Sequence, residues 1–454
     1  MATANSGARL DRLPISAFHR RIFWLIGAGM FFDGYDLYVG TNVLGATLAS
    51  GFSNLDQNAK FISMTFLGLT IGSLAAGFLG DAFGRRFTYQ INLLIFGIAS
   101  FAAALAPDMD TLIWARFAIG IGLGAEIVVG YGTLTEFIPP KSRGKWQSLM
   151  AMLVVSGLPA TALLGTLIIP SFGWRPMFVI AGVGAFVVWY VRKLMPESPR
   201  WLESKGRLAE ADQLVSGIER ESGQDLPPIP ATPPPTRYSL SDLFGRNLFP
   251  RLIVGSVVLI TVNTLIFGFV IWLPQFFLKQ GLSITKSFTF TLVIVLGSPL
   301  GCVIGALLAD SLGRRRTIIG TSVLTIIFGT LYPQMTDPTY VLVVGFVLIV
   351  CIYILVALIY GVYPPELFPT ELRLRATGIC NMFGRGATIV SPFIVVALFT
   401  TYGVAGVTAF MTALLLVQIL VVWAWGIEPA RRSLEDVAAA PALVSEPAPV
   451  ASRL

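Results

Sequence analysis

Five ionisable side chains sit inside long apolar stretches of this 454-residue chain: Asp33, Asp36, Arg116, Glu126 and Arg385. A charge in such a stretch is expensive unless it is paired or wetted, so each is a functional candidate. Asp33 and Asp36 are three residues apart and share one face of a helix. Two carboxylates at that spacing repel each other, and a proton taken up by one relieves the repulsion. Arg116 is a candidate partner for them. The other reading is a static ion pair that holds two helices together. Arg385 offers a planar fork that bonds a carboxylate at two points, or else pairs with a carbonyl of a neighbouring helix. Glu126 has three open roles: proton carrier, ligand for a polar group of a solute, or partner of Arg385. Tyr35, Tyr38 and Tyr131 accompany these charges and are candidate cavity-lining rings that can stack on a flat solute. Phe267, Trp272, Tyr353 and Tyr360 are weaker candidates of the same kind.

The elements that must hold these groups are membrane helices. Hydrophobic residues make up 55% of the chain and charged residues 13%, about half the charged share of a soluble domain, roughly 25%. Apolar runs recur at 22–48, 61–80, 87–106, 111–137, 147–169 and 175–193, and again at 251–278, 287–309, 317–333, 339–363, 376–400 and 404–427. Each is near the roughly 20 residues needed to cross the hydrocarbon as a helix. The expectation is an all-α membrane protein of twelve spans. Of 32 Lys and Arg, two lie within spans, and only Lys60, Arg175, Lys279 and Lys286 fall on the side reached after odd-numbered spans. The positive-inside rule then puts both termini in the cytoplasm, which an even span count requires independently. A cell-membrane location, plasma or bacterial inner membrane, follows.

The domain reading is a cytoplasmic segment 1–21, a six-helix bundle 22–193, a cytoplasmic linker 194–250, a second six-helix bundle 251–427 and a cytoplasmic tail 428–454. In the linker, Ser198-Pro199 can start a helix, Glu203 to Glu221 reads as an amphipathic surface helix, and Ser241-Asp242 can cap another. Pro227 to Pro235 and 433–454 lack the means to build a core. Three scattered cysteines and one histidine, His19, ahead of the first span, predict no disulfide framework, metal site or cofactor. The net charge of +7 comes from arginines clustered in short loops, so nucleic-acid binding is not expected.

The two halves echo each other. Gly77-x-x-Gly80-Asp81-x-x-Gly84-Arg85-Arg86 follows span two, and Gly305-x-x-x-x-Asp310-x-x-Gly313-Arg314-Arg315 follows span eight. Glu136-Phe-Ile-Pro139 with Arg143-Gly144 follows span four, and Glu366-Leu-Phe-Pro369 with Arg373 follows span ten. Asp81 and Glu136 are expected near Arg85 and Arg143, and Asp310 and Glu366 near Arg314 and Arg373, as cytoplasmic latches that break when the halves rock apart. The alternative is surface charge that fixes topology and contributes little energy.

With these motifs the chain resembles the major facilitator superfamily over nearly its whole length. Arg116-x-x-x-Gly120-x-Gly122-x-Gly124 and Pro196-Glu197-Ser198-Pro199-Arg200 resemble the branch of sugar porters, organic-ion transporters and metabolite–proton symporters. In sugar–proton symporters the aspartate of a Gly-Tyr-Asp in span one works with a span-four arginine in proton coupling; Gly34-Tyr35-Asp36 and Arg116 match. Asp33-Gly34-Tyr35-Asp36 is similar to the Asp-Gly-x-Asp motif of aromatic acid–proton symporters. Phosphate symporters carry Gly-Asp-Tyr-Pro-Leu-Ser in span four, where this chain has Gly124-Ala125-Glu126-Ile127-Val128-Val129. The paired span-seven glutamines of sugar porters are missing, since 261–275 holds only Asn263 and Gln275. Organic-anion and aromatic acid transporters have an arginine at the place of Arg385, facing the cavity.

The resemblance implies two pseudo-symmetric six-helix bundles and alternating-access symport of a small organic acid with protons. The coupling set would be Asp33, Asp36, Arg116 and Glu126. The solute set would be Arg385, Glu126, Tyr35, Tyr38 and Tyr131. The working unit would be a monomer whose partners are the solute and the lipid bilayer. The alternatives are a sugar or polyol–proton symporter, an uncoupled facilitator or exporter, and a non-transporting membrane receptor. No nucleophile–base pair or metal cluster in the sequence suggests an enzyme.

Overall fold

Chain geometry comes from a computed structural model that describes residues 5–222, 226, 240–246, 248–368 and 370–428. Ten helices among them are long and apolar enough to cross a membrane. The longest, Thr370–Trp425, is two helices meeting at Gly403, whose φ is 63°. The 33-residue helix Ala17–Ala49, which carries Asp33 and Asp36, adds another. Twelve spans result. Span 1 is Ala17–Ala49, span 2 Leu55–Phe83, span 3 Arg85–Ala104, span 4 Met109–Phe137, span 5 Pro140–Phe172 and span 6 Arg175–Val191. Span 7 is Phe249–Lys279, span 8 Ile284–Leu308, span 9 Arg314–Leu331, span 10 Pro338–Gly361, and spans 11 and 12 are 370–402 and 404–425.

The sequence punctuates these helices locally. Asn54 accepts from the Gln57 N–H at 2.8 Å while Gln57 accepts from the Asn54 N–H at 3.2 Å, which satisfies two donors at the start of span 2. Asp108 caps span 4 through the Thr111 N–H at 2.8 Å. Gly84 and Gly313, with φ of 97° and 89°, make the sharp turns between spans 2 and 3 and between spans 8 and 9, a backbone region that favours glycine.

Glycines also decide which spans pack. A Cβ on Gly72 or Gly124 would overlap the carbonyls of Ile121 and Leu69, so spans 2 and 4 touch backbone to backbone; Gly34 against Val154 does the same for spans 1 and 5. Spans 8 and 10 repeat the first contact through Gly297, Gly301 and Gly305, and spans 7 and 11 repeat the second pairing. Each half is thus built from equivalent pairs. The halves meet chiefly along span 2 with span 11 and span 5 with span 8.

The linker differs from expectation at one point. The predicted single helix from Glu203 to Glu221 is two, Pro199–Ser204 and Leu208–Ser222. Gly206, at φ 74°, turns the chain between them. Ser241 and Asp242 lie in a single 3₁₀ turn, Leu240–Phe244. The proline-rich stretch 227–235 and the tail 433–454 lie outside the described residues, as do the side chains of Asp310 and Arg373.

Candidate functional site

Span 1 brings two acidic residues into the centre of the N-terminal half, and neighbouring spans supply two arginines. Arg116 Nη1 donates to Asp36 Oδ2 at 2.5 Å and Nη2 to the Asp36 carbonyl at 3.3 Å. Its Nε donates to Thr65 of span 2 at 3.3 Å, and its guanidinium lies 4.9 Å from the Phe61 ring. The two side chains are 1% and 0% exposed. Spans 1, 2 and 4 are therefore tied at one buried point, and removing either partner of such a pair costs about 3–5 kcal/mol.

Glu126, for which pairing with Arg385 is one of three open roles, meets a different arginine. It bonds Arg192 Nη1, and both side chains are buried. Arg192 follows span 6 in a 3₁₀ turn, Arg192–Leu194. It reaches back to donate to the Leu25 carbonyl at 2.9 Å and the Ile26 carbonyl at 2.8 Å, with the Tyr89 ring 4.5 Å from its guanidinium. Gly29 makes room, since a Cβ there would overlap the Arg192 guanidinium. Asp33 lies in electrostatic range of Glu126, Arg192 and Asp36. It is 1% exposed, and neither of its carboxylate oxygens has a hydrogen-bond partner among the described residues.

The remaining polar groups gather at the seam between halves. Arg385 of span 11 is half-buried; its Nη1 bonds Ser73 Oγ and lies 3.4 Å from the Leu69 carbonyl, both on span 2. No carboxylate pairs with it among the described residues. Tyr360 of span 10, 41% exposed, donates to Asn263 of span 7 at 2.6 Å and lies in electrostatic range of Arg385 and Tyr131. Tyr353 donates to Tyr38 across the seam at 3.5 Å, and Tyr38 stacks on Phe267 at 6.3 Å and 14°. Tyr35 does not join this group. Its hydroxyl donates to the Met177 carbonyl at 3.2 Å inside the N-terminal half, so it packs span 1 on span 6 and is withdrawn from the solute contacts.

The hydrogen bonds that span 2 makes across the seam run from Asn58–Gln275 at 2.7 Å, near its extracellular start, through Ser63 and the Ile389 carbonyl at 2.8 Å, to Ser73 and Arg385. They lie in the extracellular two-thirds of span 2. The extracellular side is further sealed by Gly45, where a Cβ would come within 3.0 Å of Pro274 and 3.2 Å of Phe288.

The cytoplasmic rim repeats in both halves. Arg85 bonds Glu136 at 2.8 Å and Asp81 at 3.0 Å, and Arg314 bonds Glu366 at 3.1 Å. All of these pairs lie within one half, so in this conformer they brace each half rather than the seam. Arg143 corrects the expected pairing: it turns from Glu136 to Asp11 at 3.4 Å, which Arg200 also bonds at 2.6 Å. Two carboxylates went unseen as a pair. Glu197 accepts from the Arg85 N–H at 2.9 Å, and Glu428 from the Arg314 and Arg315 N–H groups, both at 2.9 Å. Each caps the positive helix start after the left-handed glycine. A Glu just beyond the last apolar run of each half was the available signal.

A duplicated six-span bundle with charges buried in its core is the architecture of a major facilitator transporter. The chain belongs to the family described as sugar (and other) transporters, which matches residues 25–440. It is 39% identical over 443 residues to the inner membrane metabolite transport protein YdjE of Escherichia coli strain K12, covering 95% of this chain and 98% of that one. The niacin transporter NiaP of Acinetobacter baylyi is 29% identical over 434 residues, covering 95% and 99%. The solved structure of a D-xylose-proton symporter superposes with a TM-score of 0.69 at 18% identity, covering 91% and 99%. The protein is a metabolite transporter and not an enzyme. It is a multi-pass inner-membrane protein, as YdjE is, and binds a small-molecule substrate within the membrane.

Proposed function

We propose that this chain is a proton-coupled symporter of a small organic acid, working as a monomer by alternating access. The observation that carries the acid reading is Arg385: a guanidinium at the seam, in the half opposite the buried carboxylates, with only a hydroxyl and a carbonyl as partners among the described residues. A carboxylate is the ligand that a guanidinium fork without an anionic partner favours. Tyr38, Tyr131 and Tyr360 around it offer ring faces and hydroxyls to a flat body. A relative named as a niacin transporter supports the aromatic form of the reading, since niacin is an aromatic carboxylic acid. Proton coupling is supported by the span-one carboxyls, Asp33 and Asp36, beside Arg116, Glu126 and Arg192. The rim groups Asp81, Arg85 and Glu136, and Arg314 and Glu366, which brace each half in this conformer, would exchange partners across the seam as cytoplasmic latches when the halves close on that side. Arg143 joins the rim through Asp11, and Asp310 and Arg373 complete the second half by sequence repeat.

Uptake by purified protein in liposomes tests this. Labelled nicotinate, benzoate and sugars are offered under an inward proton gradient. Accumulation of an acid, abolished by a protonophore, is expected. Accumulation of sugars alone would overturn the acid reading, and acid uptake indifferent to the gradient would overturn the coupling.

A further inference from the structure

Resting on the proton-symport reading above, we infer that Asp33, and not Asp36, holds the transported proton, one for each carboxylate, so that the loaded core crosses without net charge.

The pairing of the buried charges leads there. Among the described residues, the core of the N-terminal half holds three carboxyls, Asp33, Asp36 and Glu126, and two guanidiniums, Arg116 and Arg192. Arg116 takes Asp36 and Arg192 takes Glu126. Asp33 is left over, 1% exposed and with both oxygens unbonded. Span 4 presents Glu126, the turn after span 6 presents Arg192, span 1 itself presents Asp36, and span 3 presents Tyr89 against Arg192. Span 5, which approaches at Gly34, carries no ionisable residue over 150–161. Arg251 lies at the cytoplasmic start of span 7, bonded to the Leu367 carbonyl, outside this core. A carboxyl with no donor in a dry interior is held far better with its proton than as a bare anion.

The other half supplies the complement. Arg385 is a cation with no carboxylate among the described residues. A proton on Asp33 without a solute leaves the core with one uncancelled positive charge at Arg385. A solute carboxylate without the proton leaves one negative charge at Asp33. Both together, or neither, leave no net charge. Half-loaded states are therefore penalised when the halves close over the core, whereas in the open resting state the half-buried Arg385 is solvated and the dry Asp33 keeps its proton without solute; the chain needs no contact between the two sites to couple them. The balance is simple: the proton enters as Asp33–COOH, the solute enters as an anion on Arg385, and both leave on the other side unchanged. The Asp36–Arg116 pair stays ionised and positions span 1 against spans 2 and 4.

Infrared difference spectra of the purified protein in lipid, without solute, locate the proton. A protonated-carboxyl band is expected in the wild type, gone in Asp33→Asn and kept in Asp36→Asn. A band that survives Asp33→Asn, or no such band in the wild type, would overturn the assignment. Liposomes add a transport arm with labelled nicotinate and benzoate as probes. Asp33→Asn, which mimics the protonated state, should lose gradient-driven accumulation and keep equal-concentration exchange; continued accumulation would overturn the proposal. A membrane potential set by potassium and valinomycin at equal pH should drive no accumulation, and accumulation by potential alone would overturn the one-to-one ratio. If the wild type carries neither probe, the acid reading fails while the infrared result still decides Asp33.

Discussion

Replacing Arg192 by methionine keeps an unbranched apolar stem and deletes the cation bonded to Glu126. The two side chains are 1% and 2% exposed, so no water screens what remains. Glu126 would become a second bare carboxyl beside Asp33. Breaking a buried pair from one side costs about 3–5 kcal/mol, and at about 1.4 kcal/mol per tenfold that is roughly two to three and a half orders of magnitude in the folded ratio. Set against total stabilities of about 5–15 kcal/mol, the single variant should unfold markedly earlier. The double variant Arg192→Met/Glu126→Gln removes both charges and should recover more than half of the loss. Arg21→Met, which breaks the exposed Arg21–Glu221 pair at 3.3 Å, should change little because water already screens it. The assay is the fraction of detergent-purified transporter that stays monodisperse after heating. The reasoning is refuted if Arg192→Met is no more harmful than Arg21→Met, or if the double variant is worse than the single.

Arg385→Ala should raise the half-saturation for a carboxylate solute by roughly tenfold to a hundredfold, the equivalent of a charge-assisted hydrogen bond of about 1.5–3 kcal/mol; a concentration series of uptake reads this, and unchanged affinity removes Arg385 from the site. Gly34→Ala forces a Cβ into the Val154 carbonyl and should destabilise by about 1–3 kcal/mol, whereas Gly77→Ala, with nothing within 4 Å of the added carbon, should melt like the wild type. Outside the membrane, the hydrogen bond from Arg9 holds the Glu219 carboxyl below the usual glutamate range, with Arg12 assisting. A depressed carboxyl stabilises its contact above the unfolded value and loses that contribution as pH falls through the lowered one. The short helix Ser6–Asp11 should therefore exchange amide hydrogens faster on acidification, and constant protection down through that range would contradict the contact.

Much of this was legible in the residues. The apolar runs gave the spans, because a backbone in hydrocarbon must satisfy its own hydrogen bonds and a run of about 20 apolar residues does so as a helix. The spacing of Asp33, Asp36 and Arg116 placed three charges in the right spans. Arg192 was hidden by its position: it ends an apolar run next to Lys193 and reads as one more cytoplasmic positive charge. Only the 3₁₀ turn that points it back toward Leu25 and Ile26 makes it a core residue. That same turn decides the partner of Glu126, which spacing along the chain cannot. Tyr35 misled because a tyrosine between two charged neighbours looks functional, while its helical phase directs it at Met177. Glu428 was read as the start of the tail because its partners, the N–H groups of Arg314 and Arg315, lie more than a hundred residues away in sequence.

The most direct test of proton-coupled acid transport is the pH of the medium around liposomes that hold the purified protein. No gradient is imposed, and nicotinate or benzoate is added outside. If protons move with the acid, the medium turns alkaline as the solute enters, the change vanishes with a protonophore, and Asp33→Asn liposomes show none. Solute entry with a flat pH trace in the wild type would contradict the account.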